Sequence, residues 1–183
     1  MDTASQKKLL LLARRTLEND LQKGSHNLEE LNLPEFRTSG GVFVTLHIKG
    51  KLRGCIGRLE SDASIFKNTI ELSRAAAFED HRFRKLSSEE LRKVTIEISI
   101  LSKPKRVSGE SNHQKIARII PGRDGVILSA ARHSATFLPQ VWDSIPERDR
   151  FIGELCRKAG LPADYWKNNP IDISVYQVDS FEE

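Results

Sequence analysis

The stretch GVFVTLHIKGKLRGCIG, from Gly41 to Gly57, constrains the fold more than any other part of the chain. Val42, Val44, Leu46 and Ile48 alternate with Phe43, Thr45 and His47, the period of a strand with one face buried. Lys49-Gly50-Lys51 reads as a compact turn, and a second strand returns through LRGCIG. A three-residue loop pairs Ile48 with Leu52, and then His47 with Arg53 and Thr45 with Cys55, these two polar pairs on one side of the ribbon. A two-residue loop slips the register by one and disperses that cluster. The residues leave both open, and the cluster survives only if His47 and Cys55 share a face.

The rest of the chain alternates helices and strands irregularly. Ala4 to Lys23 repeats leucines at helical spacing and is followed by Gly24. Asp62 is the expected N-cap of a helix running to Phe78, with Ile65, Phe66, Thr69, Ile70, Ser73, Ala76 and Ala77 inward. Ser87 with Glu90 three residues on matches a capping box. VTIEISILS puts Val94, Ile96, Ile98 and Ile100 on one face and Glu97 on the other. Further on, a short helix is expected near Asn112 to Ile120, a turn at Pro121 to Gly125, and strands at Val126–Leu128 and Ala135–Leu138. A helix opens at Pro146 and ends at Gly160, and a single last strand covers Ile171 to Val178. With no repeat and no regular βαβ series, the pattern predicts an α+β fold. It reads as one domain of 183 residues, with residues near 102–112 linking two subdomains.

The longest aliphatic run is far below the ~20 residues that span a bilayer, so no membrane role is expected. No secretory leader is recognisable, and Cys55 and Cys156 make neither a disulfide framework nor a metal knuckle; a cytoplasmic setting is expected. The net charge of +4 comes from 29 basic and 25 acidic residues, interleaved, which makes a nucleic-acid partner unlikely on charge.

The candidate chemistry centres on Leu52 to Gly57. Cys55 reads as a thiol activated by Arg53 and Arg58 with His47 as base, or as a small core residue. Arg53 offers a planar fork for a carboxylate or phosphate, or pairs structurally with Glu97 or Asp80. The glycines open main-chain N–H groups to a ligand, or mark a bulge or close packing. In FEDHRF, Glu79, Asp80 and His81 are consecutive and diverge on a helix. A salt-bridge corner is expected there rather than a metal or proton-transfer site. The other histidines have no ligand spacing, and neither a metal nor a cofactor is expected. PGRDG lacks the phosphate-loop pattern and reads as a turn; GxSxG is absent.

In order along the chain, GVFVTL, LRGCIG, EDHRF, IEISILS, GRDGVIL, LPQV and CRKAGLPADYW resemble the AMMECR-one-like family. Its microbial members are also called AmmeMemoRadiSam system protein A. The similarity runs over about residues 5 to 183. It implies an α+β fold of two subdomains with the hexapeptide Leu52, Arg53, Gly54, Cys55, Ile56 and Gly57 lining a cleft as the ligand-binding segment. It also implies Memo-type and radical-SAM proteins as partners. No three-cysteine cluster motif is present, so the chain is not the radical enzyme itself. The chain departs from the family's Arg-Phe-Pro-Pro turn, reading Arg82-Phe83-Arg84-Lys85, which charges that edge. Two function classes stay open: a binding or accessory module using LRGCIG, and an enzyme acting on a small anionic metabolite or a protein tail through Cys55, Arg53 and His47. A nucleic-acid-associated role, resting on Lys103, Lys105 and Arg106 with Arg82, Arg84 and Lys85, is a weaker third.

Overall fold

A computed structural model describes residues 1–22 and 24–183. In chain order the elements are α1 (Thr3–Gln22), β1 (Gly41–Ile48), β2 (Lys51–Arg58), α2 (Ile65–Phe78), α3 (Ser88–Leu91), β3 (Val94–Leu101), β4 (Lys105–Arg106), α4 (Asn112–Ala117), β5 (Gly125–Ala130), β6 (His133–Phe137), α5 (Val141–Ser144), α6 (Arg148–Lys158), α7 (Tyr165–Asn168), β7 (Asp172–Tyr176) and β8 (Val178–Glu182). The fold is α+β, as the pattern predicts. The expected end of the first helix at Lys23 lies outside the described residues.

The chain divides into two compact units, Met1–Leu101 with Asp179–Glu183, and Ser102–Val178. The first holds a sheet in the order β2-β1-β3-β8. Its inward residues Val42, Val44, Leu46, Ile96 and Ile98 have no exposure and pack with Leu9, Leu12, Ala13 and Leu17 of α1 and Leu72, Ala76 and Ala77 of α2. Burying such side chains contributes about 1.5–3 kcal/mol each, which holds both helices on one face of the sheet. The cap of α2 is Ser64, whose hydroxyl accepts from the Lys67 N–H, and not the expected Asp62. Ser64 lies directly before the first buried residue, Ile65, and an N-cap must sit at that boundary. The Ser87–Glu90 capping box forms as read.

The second unit holds a sheet in the order β4-β7-β5-β6. Its core joins Val126, Leu128 and Ile173 to Phe151, Ile152, Leu155 and Cys156 of α6. Trp142 stacks on Phe151 with ring centroids 3.6 Å apart. The Trp142 indole N–H donates to the Asp124 carbonyl at 2.8 Å, and the buried Asp124 carboxylate accepts from the Ile120 N–H at 2.9 Å. PGRDG is therefore a turn tied down from within.

One expected element is corrected. The last strand is two strands in different sheets: β7 pairs with β4 and β5, whereas β8 borders β3. The break falls at Gln177, whose N–H and carbonyl both bond Ser102. That exchange is long-range in sequence and leaves no local mark.

Candidate functional site

The β1–β2 hairpin closes through a two-residue loop, with Lys49 at φ 52° and Gly50 at φ 72°. Ile48 pairs with Lys51 and His47 with Leu52, as the shorter loop requires. The register then shifts between Leu46 and His47, so that Leu46 pairs with Gly54 and Thr45 with Cys55. Arg53 is the extra residue of this bulge. The bulge undoes the slip, so the expected Thr45–Cys55 pair forms while the expected His47–Arg53 pair does not.

Three faces result. Cys55, Thr45 and Glu97 lie in one cross-strand row on the face away from α1 and α2, with His47 two residues along β1 from Thr45. The Thr45 hydroxyl donates to the Cys55 sulfur at 3.3 Å, and His47 Nδ1 is 3.9 Å from Glu97 Oε2. Cys55, Thr45, His47 and Glu97 are each half-buried. On the inward face a Cβ added to Gly54 would stand 2.2 Å from the Ala76 carbonyl oxygen of α2, so only glycine lets that helix turn lie against the strand. A Cβ on Gly57 would stand 2.1 Å from the Phe43 ring, which covers it from across the ribbon. Ile56 is half-buried against the core and Leu52, at the hairpin end, is 41% exposed.

The third direction is the edge of the sheet, where β2 has β1 on one side and, among the described residues, no strand on the other. Arg53 leaves the bulge towards α3 and is 8% exposed. Its Nε and Nη2 donate to Glu90 Oε1 and Oε2 at 3.2 and 3.0 Å, and Nη2 also donates to the Arg84 carbonyl at 2.8 Å. This two-pronged pairing, with help from the Ser87 N–H, holds the Glu90 carboxyl down at about 2. Arg53 Nη1 is buried and has no partner among the described residues. The partner is thus Glu90, neither Glu97 nor Asp80, and one carboxylate serves both the guanidinium and the capping box. The capping-box signal at Ser87–Glu90 marked this acid, but nothing local tied it to a residue 37 positions earlier.

Asp80 and Arg82 close the edge at Cys55. Asp80 Oδ2 accepts the Cys55 N–H at 2.8 Å, and Arg82 Nη2 donates to the Cys55 carbonyl at 3.2 Å. Arg82 Nε and Nη2 grip the two Asp80 oxygens at 2.9 and 2.7 Å. The Arg82 guanidinium first, then the Cys55 and Arg82 main-chain N–H groups, hold the Asp80 carboxyl well below the usual carboxylate range. Of Glu79, Asp80 and His81, it is Asp80 that forms an ion pair, with Arg82 just after the end of α2. Arg58, the second cation proposed to activate the thiol, donates instead to Asn68 and Glu71 at 3.0 and 2.7 Å.

Among the described residues no group of three or more His, Cys, Asp or Glu side chains is placed to hold a metal ion, and no helix is long and apolar enough to cross a membrane. Two hollows of about 450 Å³ and 260 Å³ lie in the second unit, and neither is lined by Leu52–Gly57. The basic excess also belongs to Ser102–Val178, with 12 Lys and Arg against 8 Asp and Glu, so the unit carrying LRGCIG is neutral overall.

The AMMECR1 family model matches residues 10–181. A protein of Methanopyrus kandleri is 33% identical over 183 residues, covering 96% of this chain and 86% of its own. One from Sulfolobus acidocaldarius is 35% identical over 180 residues, covering 93% and 78%. The crystal structure of an uncharacterised protein from Pyrococcus horikoshii superposes with a TM-score of 0.83 at 30% identity, over 100% of this chain and 93% of that one.

Proposed function

This chain belongs to the AMMECR1 family, and on that premise we propose that it is a binding or accessory module whose recognition element is the LRGCIG strand. The observation that carries the reading is the fate of Arg53: its Nε and Nη2 are already engaged by Glu90 and the Arg84 carbonyl, and its Nη1 is buried. A guanidinium so engaged is part of the scaffold and not a receptor for a small anion. Gly54 and Gly57 are likewise taken up by packing against Ala76 and Phe43. What the strand turns outward is Cys55, in a half-buried polar row with Thr45 and His47 of β1 and Glu97 of β3, a surface for contact. The partners, on this reading, are Memo-type and radical-SAM proteins, and the setting is the cytoplasm, in keeping with two free cysteines.

The test is capture of purified Memo-type and radical-SAM proteins on the immobilised chain. Binding of either, weakened by His47→Ala or Glu97→Gln in a folded variant, supports the module. Capture of neither, or capture indifferent to both substitutions, refutes it. One observation favours the enzymatic alternative, the hydroxyl that Thr45 directs at the half-exposed Cys55 sulfur. Turnover of a small metabolite or protein tail that Cys55→Ser abolishes would replace the binding reading.

A further inference from the structure

The Cys55 N–H points away from β1, to Asp80, so Thr45–Cys55 is a pair whose main chains do not bond each other. Such pairs recur every second residue. Gly57, opposite Phe43, is therefore of the same kind, and the N–H and carbonyl of both Cys55 and Gly57 project from the open side of β2. At Cys55 the acceptor and donor that a neighbouring strand would supply come instead from two side chains, the Asp80 carboxylate and the Arg82 guanidinium. A sheet edge left bare invites pairing with another chain, and charged side chains are a common guard.

We infer that the Asp80–Arg82 pair is a releasable lock on the β2 edge, and that the occupant it holds off is an extended, acidic segment of a partner protein, which adds as a strand along Cys55 and Gly57. This rests on the reading of LRGCIG as the recognition element and gives its mode. The lock is built to open alone. It is made of side chains on the turn after α2, not of ladder bonds, and Arg82 is 59% exposed. Asp80 is 4% exposed, but the two leave together as a pair, so no buried charge is stranded. The charge of the occupant follows from the cations beside the lock: Lys51, Arg84 and Lys85 are all exposed, and Arg84 is held by one contact, 3.4 Å from Glu90. Acidic side chains on an added strand meet these cations, while its main chain takes over the Cys55 hydrogen bonds.

Amide hydrogen exchange tests the lock in the unaltered protein. The Cys55 amide should exchange at least tenfold faster than the Ile56 amide, which is in the β1–β2 ladder. In Arg82→Lys, which keeps the charge and loses the fork, Cys55 should quicken at least a further tenfold while Val44 and Ile56 hold. In Asp80→Asn an alternating Glu–Val octapeptide should bind at least tenfold tighter than to the unaltered chain, and a Lys–Val octapeptide should not. Cys55 and Ile56 exchanging at one rate, Val44 and Ile56 quickening with Cys55, or equal binding of the two peptides would each overturn the inference. Capture of Memo-type or radical-SAM proteins would be untouched by that failure, so the two readings fall separately.

Discussion

Replacing each glycine of LRGCIG by alanine separates packing from recognition. In Gly54→Ala the new Cβ begins 2.2 Å from the Ala76 carbonyl oxygen and 3.2 Å from its carbon. An ordinary carbon–oxygen contact is about 3.3 Å, so α2 must retreat by about 1 Å. The obstacle is helix backbone, fixed by Leu72, Ala76 and Ala77 in the core, and not a side chain that can turn away. Overpacking of this kind costs about 1–3 kcal/mol, here near the upper end. Alanine also restricts the unfolded chain, which returns about 0.4–1 kcal/mol. The expected net loss is about 2 kcal/mol. In Gly57→Ala the obstacle is the Phe43 ring, half-buried on the outward face and able to change rotamer, so the loss should be about 1 kcal/mol or less. Urea denaturation at unchanged slope measures both. If Gly57→Ala costs as much as Gly54→Ala, or Gly54→Ala costs almost nothing, then helix approach is not the reason for the first glycine.

Two further outcomes follow from the site. The Glu90 carboxyl is held at about 2 by Arg53, below its unfolded value, so its contribution is complete above about pH 4.5 and is lost as pH falls towards 2. Asp80 acts in the same sense, and Glu90→Gln should flatten the acid limb of a stability–pH profile; an unchanged limb would show that the Arg53 pair does not stabilise the fold. Native protein treated with iodoacetamide should take one label, at Cys55, because Cys156 is fully buried and burial pushes its thiol up; mass spectrometry finding both labelled, or neither before unfolding, would contradict this.

The alternation in GVFVTL and VTIEISIL made β1 and β3 legible, since a half-buried strand repeats every second residue whatever its neighbours. The leucine spacing of α1 and the Ser87–Glu90 box were legible for the same reason: each is a local rule. The loop between β1 and β2 was open to two lengths, and the structure shows the shorter with a bulge at Arg53 that restores the longer loop's pairing at Cys55. Two local shifts that cancel leave little trace in the hydrophobic pattern. The α2 cap was misplaced by two residues because Asp62 and Ser64 are both good caps, and only the position of Ile65 in the core selects between them.

By itself, then, the order of residues determined the α+β class, the hairpin and most element positions, because periodicity and capping act within one or two turns of chain. Tertiary structure alone decided that Arg53 belongs to Glu90, that Asp80 and Arg82 seal the edge at Cys55, and that β7 and β8 part company at Gln177. Each of these joins groups 25 or more positions apart. Which cation meets which carboxylate is set by where the backbone carries them, and charge alone, being undirected, does not encode it.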